Sequence, residues 1–184
     1  MGLLDGLLQP LLTGFPGYLM TPTAFLQKPF CWLEAISRYR GTHSMAPNFA
    51  YDLCVERISP EERATLDLSS WQSSINGAEP VQPATLTRFW ETFASCGLRL
   101  TTLLPAYGLA ECTLAVSGGT VDSEPISQIV DAAAFELLRV EPPRSEIATV
   151  REVVSCGAPV SGLQVAIVHP ETRRRCAANE VGEI

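Results

Sequence analysis

Tyr107, Gly108 and Glu111 fall inside the string Pro105-Ala106-Tyr107-Gly108-Leu109-Ala110-Glu111, and each brings a different chemistry. A phenol ring can lie flat against a base. A glycine admits a ligand close to the backbone. A carboxylate can hold a divalent cation beside phosphates. A second string, Asn76-Gly77-Ala78-Glu79-Pro80, is a turn of small residues with accessible main-chain N–H and C=O groups. Together the two strings suit a planar ligand, one face stacked and one edge read by backbone atoms. Taken singly, each is also compatible with a plain turn at the end of a strand.

Those residues need elements to position them. Leu100 to Leu104 is an apolar run that reads as a buried strand, and Trp71 to Ile75 reads as another. Both candidate turns would then sit at strand tips, where open α/β sheets bind ligands. Leu3 to Leu12 reads as a short helix ended by Thr13-Gly14. Phe15 to Met20 reads as a strand, and Pro22 opens a turn. Pro29 to Arg40 is amphipathic, with Trp32, Ile36 and Tyr39 at helical spacing. Thr42 to Met45 is a brief strand, and Asn48 caps a helix running to Arg57. Thr85 to Ser95 is a helix whose Leu86, Phe89, Trp90 and Phe93 form a core face rather than a ligand cage.

Strands alternating with helices predict an α/β fold, a mostly parallel sheet flanked by helices. That pattern covers residues 1–149, with a possible insertion over 118–146 that is rich in acids and proline and carries a short helix from Asp131 to Leu138. Val153 to Ser155, Gln164 to Val168 and Val181 to Ile184 read as strands joined by Gly and Pro turns. They predict the start of a second, β-rich subdomain over residues 150–184.

Composition narrows the function classes. Hydrophobic residues make up 46% of the 184 and charged residues 18%, a globular balance. Thirteen Lys and Arg against twenty Asp and Glu leave a net charge of −7. With no basic run beyond Arg173-Arg174-Arg175, nucleic-acid backbone binding is disfavoured. The six cysteines are too far apart for a CxxC metal or redox motif. They read as reduced thiols, which favours a cytoplasmic location. No apolar run reaches the about 18 residues of an integral membrane span. His43 reads as a hydrogen-bonded structural residue, since no partner carboxylate stands at a readable spacing. His169 is assigned no function.

NGAEP and YGLAECTLAVSGG, with residues 22–71 from PTAFLQKPF to DLSSW and residues 154–184 from VSCGAPV to NEVGEI, resemble the fatty acyl-AMP ligases, a branch of the adenylate-forming enzymes. The likeness runs over nearly the whole chain. It implies ATP/AMP and Mg²⁺ as cofactors, a fatty acid as substrate and an acyl carrier protein as acceptor. It implies that Glu111 is the catalytic metal ligand and that Tyr107 stacks on adenine. Asn76, Gly77 and Ala78 would line the adenine edge, with Gly108 close to the nucleotide. Ala110 would border the substrate where many relatives carry Thr, a departure that favours the AMP-ligase branch. The helix carrying Phe49, Tyr51, Leu53 and Val55 would border the acyl tunnel, and Met45 would narrow it. The same likeness places a phosphate-binding loop upstream of Met1 and a ribose-binding Asp, a hinge and a lysine downstream of Ile184. The stretch Met1 to Pro10 resembles an interior segment of the family. The expectation is a catalytically poor piece of a longer enzyme. Two further readings use the same residues: an acyl-CoA ligase, which Ala110 and the insertion disfavour, and a non-catalytic nucleotide-binding module.

Overall fold

The computed structural model describes residues 2–145 and 147–184. Met1 and Glu146, the ends of the expected interior segment and insertion, lie outside the described residues. A wide helical turn over Leu4–Leu8 runs into α1 (Gln9–Thr13), which Gly14 closes in the left-handed conformation. The strand expected over Phe15 to Met20 does not form. Those residues are all exposed with no neighbouring strand to complete a ladder, and an unpaired strand has no hydrogen-bond partner to hold it. Pro22 opens a helix rather than a turn: in α2 (Pro22–Gln27) the Thr21 hydroxyl caps the Ala24 N–H at 3.2 Å, and Pro at the first helical position loses nothing. Next comes α3 (Phe30–Tyr39), which buries Phe30, Leu33 and Ile36. Of the expected apolar stripe only Ile36 is fully inside. Tyr39 is exposed and stacks on Tyr18 at 4.1 Å.

Three parallel strands follow with helical crossovers, as the α/β pattern requires. They are β1 (His43–Ala46), then α4 (Asn48–Arg57) and α5 (Pro60–Arg63), then β2 (Ser73–Asn76), α6 (Pro83–Phe93) and β3 (Leu103–Gly108). Leu100 to Thr102 form a single tight turn before β3 rather than its first residues. The sheet turns mixed at β4 (Ala115–Gly118), which runs antiparallel to β3.

Between the crossover helices and the sheet lies an aromatic core. Trp32 meets Tyr51 and Trp71 edge-on at 5.5 Å each, and Tyr51 meets Phe89 at 5.0 Å. Such edge-to-face pairs add to the area they bury. As expected, Leu86, Phe89 and Phe93 of α6 belong to this core, with Trp90 packed at its margin. Tyr51 is fully buried yet satisfied: its hydroxyl is 2.8 Å from Ser74 Oγ and donates to the Ile75 carbonyl at 3.2 Å. Burial pushes that phenol well above the ordinary tyrosine range. These bonds tie α4 to β2.

Downstream, β5 (Ser127–Asp131) leads into α7 (Ala132–Glu136), whose first turn Asp131 caps by accepting from the Ala134 N–H at 2.8 Å. Then β6 (Val150–Val154) pairs antiparallel with β5, and β7 (Ala158–Pro159) returns to β4, giving a main sheet ordered β1-β2-β3-β4-β7. Residues 150–159 therefore share sheets with residues 115–131. The strands expected over Gln164 to Val168 and Val181 to Ile184 are reduced to isolated bridges, Val168 with Glu183 among them.

Candidate functional site

Ala46, Asn76 and Pro105 lie side by side, in register, at the carboxyl-terminal ends of β1 and β2 and midway along β3. Adjacent strands stand about 4.8 Å apart. This row brings together three segments that the sequence separates: Pro47 to Ala50 past β1, Gly77 to Gln82 past β2, and Ala106 to Glu111 along and past β3.

The middle segment is tightly held. Asn76 and Gly77 are buried, while Ala78 is exposed with φ of 70°, a conformation that disfavours a side chain by about 1 kcal/mol. A Cβ on Gly77 would stand 2.8 Å from the Ala106 carbonyl oxygen, so only glycine lets this turn lie flat against β3. Asn48 secures the turn from the other side. Its Nδ2 donates to the Pro80 carbonyl at 2.9 Å, and its Oδ1 accepts from the Gln82 N–H at 3.1 Å and from Asn76 Nδ2 at 3.2 Å. Asn48 is therefore not the helix cap that its position suggested. Extended Pro47 occupies the cap site, and Asn48 is already the first residue of α4. Asn76 Oδ1 is buried with no hydrogen-bond partner.

Along β3, pairing with β4 carries the strand through Ala106 and Tyr107 to Gly108, beyond the tip expected after Leu104. Tyr107 is 36% exposed. The register slips between Tyr107 and Gly108, and a Cβ on Gly108 would collide with the Leu114 carbonyl. The close approach at Gly108 is thus made first of all by the chain itself. Leu109 then leads into a single tight turn, Ala110–Cys112, which leaves Ala110 and Glu111 exposed. Among the described residues no three His, Cys, Asp or Glu side chains cluster as a metal cage. A cation at Glu111 would have one protein carboxylate and would need oxygens from its ligand, a donor set that suits Mg²⁺.

Beside the end of β1 opens an apolar groove of about 240 Å³, walled by Met20, Phe25, Trp32, Met45, Phe49 and Ala50 among others. Phe49 is half exposed at its edge. Tyr51 belongs to the core instead, with Val55 packed against it. Residues two apart on a helix face different ways, so the alternating set 49, 51, 53 and 55 could not line one wall. The sequence reading missed Met20, Phe25 and Trp32. Their signal was the helix cap at Thr21-Pro22, which folds residues 20–32 back over β1.

At the opposite, amino-terminal ends of the strands, His43 finds the carboxylate that spacing did not reveal. Its Nε2 is 3.1 Å from the Asp5 carboxylate, and its Nδ1 is 3.0 Å from Ser73 Oγ. The pair ties the first helical turn to the sheet edge. His169 Nδ1 accepts from the Glu171 N–H at 3.2 Å within a turn. All six cysteines are free thiols, and burial pushes those of Cys54 and Cys96 up.

With this geometry in view, comparison with known proteins places the chain. The AMP-binding enzyme family matches residues 1–184, and the chain belongs to that family. It is 50% identical over 185 residues to the medium-chain fatty acid–acyl-carrier-protein ligase JamA of Moorena producens, covering 100% of this chain and 31% of that protein. It is 45% identical to the corresponding ligase TtuA of Teredinibacter turnerae, covering 28% of it. The fold superposes on a crystal structure of the fatty acyl-adenylate ligase from Legionella pneumophila in complex with acyl adenylate and pyrophosphate. There the TM-score is 0.92 at 40% identity, over 99% of this chain and 32% of that one. The chain thus spans about a third of the length of the relatives it matches.

Proposed function

We propose that this chain supplies the adenine-binding and acyl-binding surfaces of an ATP-dependent fatty acid–AMP ligase. The reaction is attack of a fatty carboxylate oxygen on the α-phosphorus of ATP, with cleavage of the bond to the leaving pyrophosphate. The thiol of an acyl carrier protein then attacks the acyl carbon of the resulting adenylate, forming a thioester as the bond to the phosphate oxygen breaks and AMP leaves. The row Ala46-Asn76-Pro105 carries this reading. It sets the apolar groove, the Gly77 turn and the strand bearing Tyr107 next to one another in the order that a fatty acyl adenylate requires.

In this reading Tyr107 stacks on adenine, and Asn76, Gly77 and Ala78 face its edge through main-chain atoms. Gly108 stays close to the nucleotide. Phe49 and Met45 border the acyl chain, and Ala110 lies where chain and nucleotide meet. Glu111 would hold Mg²⁺, which would supply positive charge beside the phosphates. The cation would neutralise charge as two anions approach. The chain's own part is positioning, which holds the reacting groups in line. No helix among the described residues is long and apolar enough to cross a membrane, and a cytoplasmic site of action is part of the same proposal.

Titration calorimetry with a non-hydrolysable dodecanoyl-adenylate mimic tests the assignment. Tyr107→Ala should weaken binding by about 1–3 kcal/mol, the usual worth of a base stacked on an aromatic ring. Equal binding by the wild type and the variant removes Tyr107 from the site.

A further inference from the structure

The first turn of α4 serves two surfaces. Phe49 and Ala50 wall the apolar groove. Asn48, just before them, is 6% exposed and turns its amide into the segment after β2. Its hydrogen-bond partners are Asn76, the last residue of β2, and Pro80 and Gln82 within that segment. Among the described residues it is the side chain outside that segment that bonds to the segment's main chain. The segment also needs holding, because Ala78 at its apex has φ of 70°. One amide therefore joins the wall of the groove to the shape of the turn.

We propose that Asn48 is a positioning residue that couples the two halves of the site. A fatty chain seated against Phe49 fixes the first turn of α4. Through Asn48 that fixes the 76–82 turn in the form that receives adenine. Coupling of this kind is reciprocal, so each ligand tightens the other. The inference rests on the placement of acyl chain and nucleotide proposed above. It adds a residue that touches neither ligand, and an energetic link between them.

The test is calorimetry of AMP, of dodecanoate, and of AMP with dodecanoate saturating, on the wild-type chain and on Asn48→Ala and Asn48→Asp. In the wild type, dodecanoate should raise AMP affinity about fivefold, the low end of ordinary coupling. In Asn48→Ala, AMP alone should bind about tenfold more weakly, the worth of one or two net hydrogen bonds. The enhancement should vanish while dodecanoate alone binds within about twofold of wild type. Asn48→Asp is isosteric and keeps the acceptor for the Gln82 N–H but sets a second acceptor against the Pro80 carbonyl. It should lose the enhancement while remaining folded, so it decides the matter if Asn48→Ala does not fold.

Unchanged AMP affinity and enhancement in a folded variant overturn the proposal. So does an equal loss for AMP and dodecanoate, the mark of a merely structural role. A wild-type chain that binds no AMP overturns the site assignment and this coupling with it. A wild-type chain whose AMP binding needs Tyr107 but ignores Asn48 overturns the coupling alone.

Discussion

Met45 shows how much one side chain on a strand end can decide. It lines the groove at the end of β1, half-buried, opposite Phe49 and Ala50 of α4. At about 240 Å³ the groove is small, and each further methylene of an acyl chain needs space as well as burial worth about 0.8 kcal/mol. Cutting Met45 back to alanine lengthens the space without touching the Gly77 turn. Met45→Ala should therefore favour hexadecanoate over dodecanoate by several-fold relative to wild type, measured as the ratio of dissociation constants. An unchanged ratio would place the acyl chain elsewhere. Gly77 and Gly108 act at the same scale by what they lack. One lies under the Ala106 carbonyl and the other under that of Leu114, so the flatness of the site depends on two absent Cβ atoms.

At the scale of elements, short helices are held by their ends. In α5 the Ser59 hydroxyl accepts from the Glu62 N–H at 3.2 Å, and the Glu62 carboxylate accepts from the Ser59 N–H at 3.1 Å. This capping box satisfies two donors that the helix itself leaves open. Ser59→Ala should cost about 1 kcal/mol, read as a lower urea midpoint with an unchanged slope. Elements of this kind divide what the sequence made legible from what it did not. Helices α3 and α6 were readable because each carries an apolar stripe along its buried face, α4 because Pro47-Asn48 marks a helix start, and β1 and β2 because turn residues bound them. The run Phe15 to Met20 misled because it has strand-like residues but no partner strand. Pro105 to Gly108 misled in the other direction, since only pairing with β4 reveals that the strand continues. At the site, the glycine turn and Tyr107 could be read from type and order. Asn48 could not, because its partners stand 28 to 34 positions away, and nothing local distinguishes a cap from a clamp. The same holds for the bond between Asp5 and His43, 38 positions apart.

Across the whole molecule, charge sets which ligand the chain can hold by itself. The net charge is −7, and the segments 76–82 and 105–119 contain Glu79 and Glu111 but no Lys or Arg. Arg88, Arg99, Arg139 and Arg144 are engaged with Asp52, Asp122 and Glu141. A nucleotide seated between the Gly77 turn and Tyr107 therefore meets hydrogen-bonding groups at its base but a repulsive field at its phosphates. A divalent cation placed between these like charges reverses that sign. In metal-free buffer the chain should bind AMP more tightly than ATP, because each added phosphate adds repulsion with no new cationic partner. Millimolar Mg²⁺ should narrow the difference, and Glu111→Gln should remove most of the Mg²⁺ effect while leaving AMP affinity close to wild type. The same shortage of cations means that ATP and dodecanoate together should yield little acyl adenylate from this chain, read as pyrophosphate release. Preference for ATP without metal, or rapid pyrophosphate release, would show that a cationic phosphate site exists within these 184 residues and would return the Arg173-Arg174-Arg175 triplet to consideration.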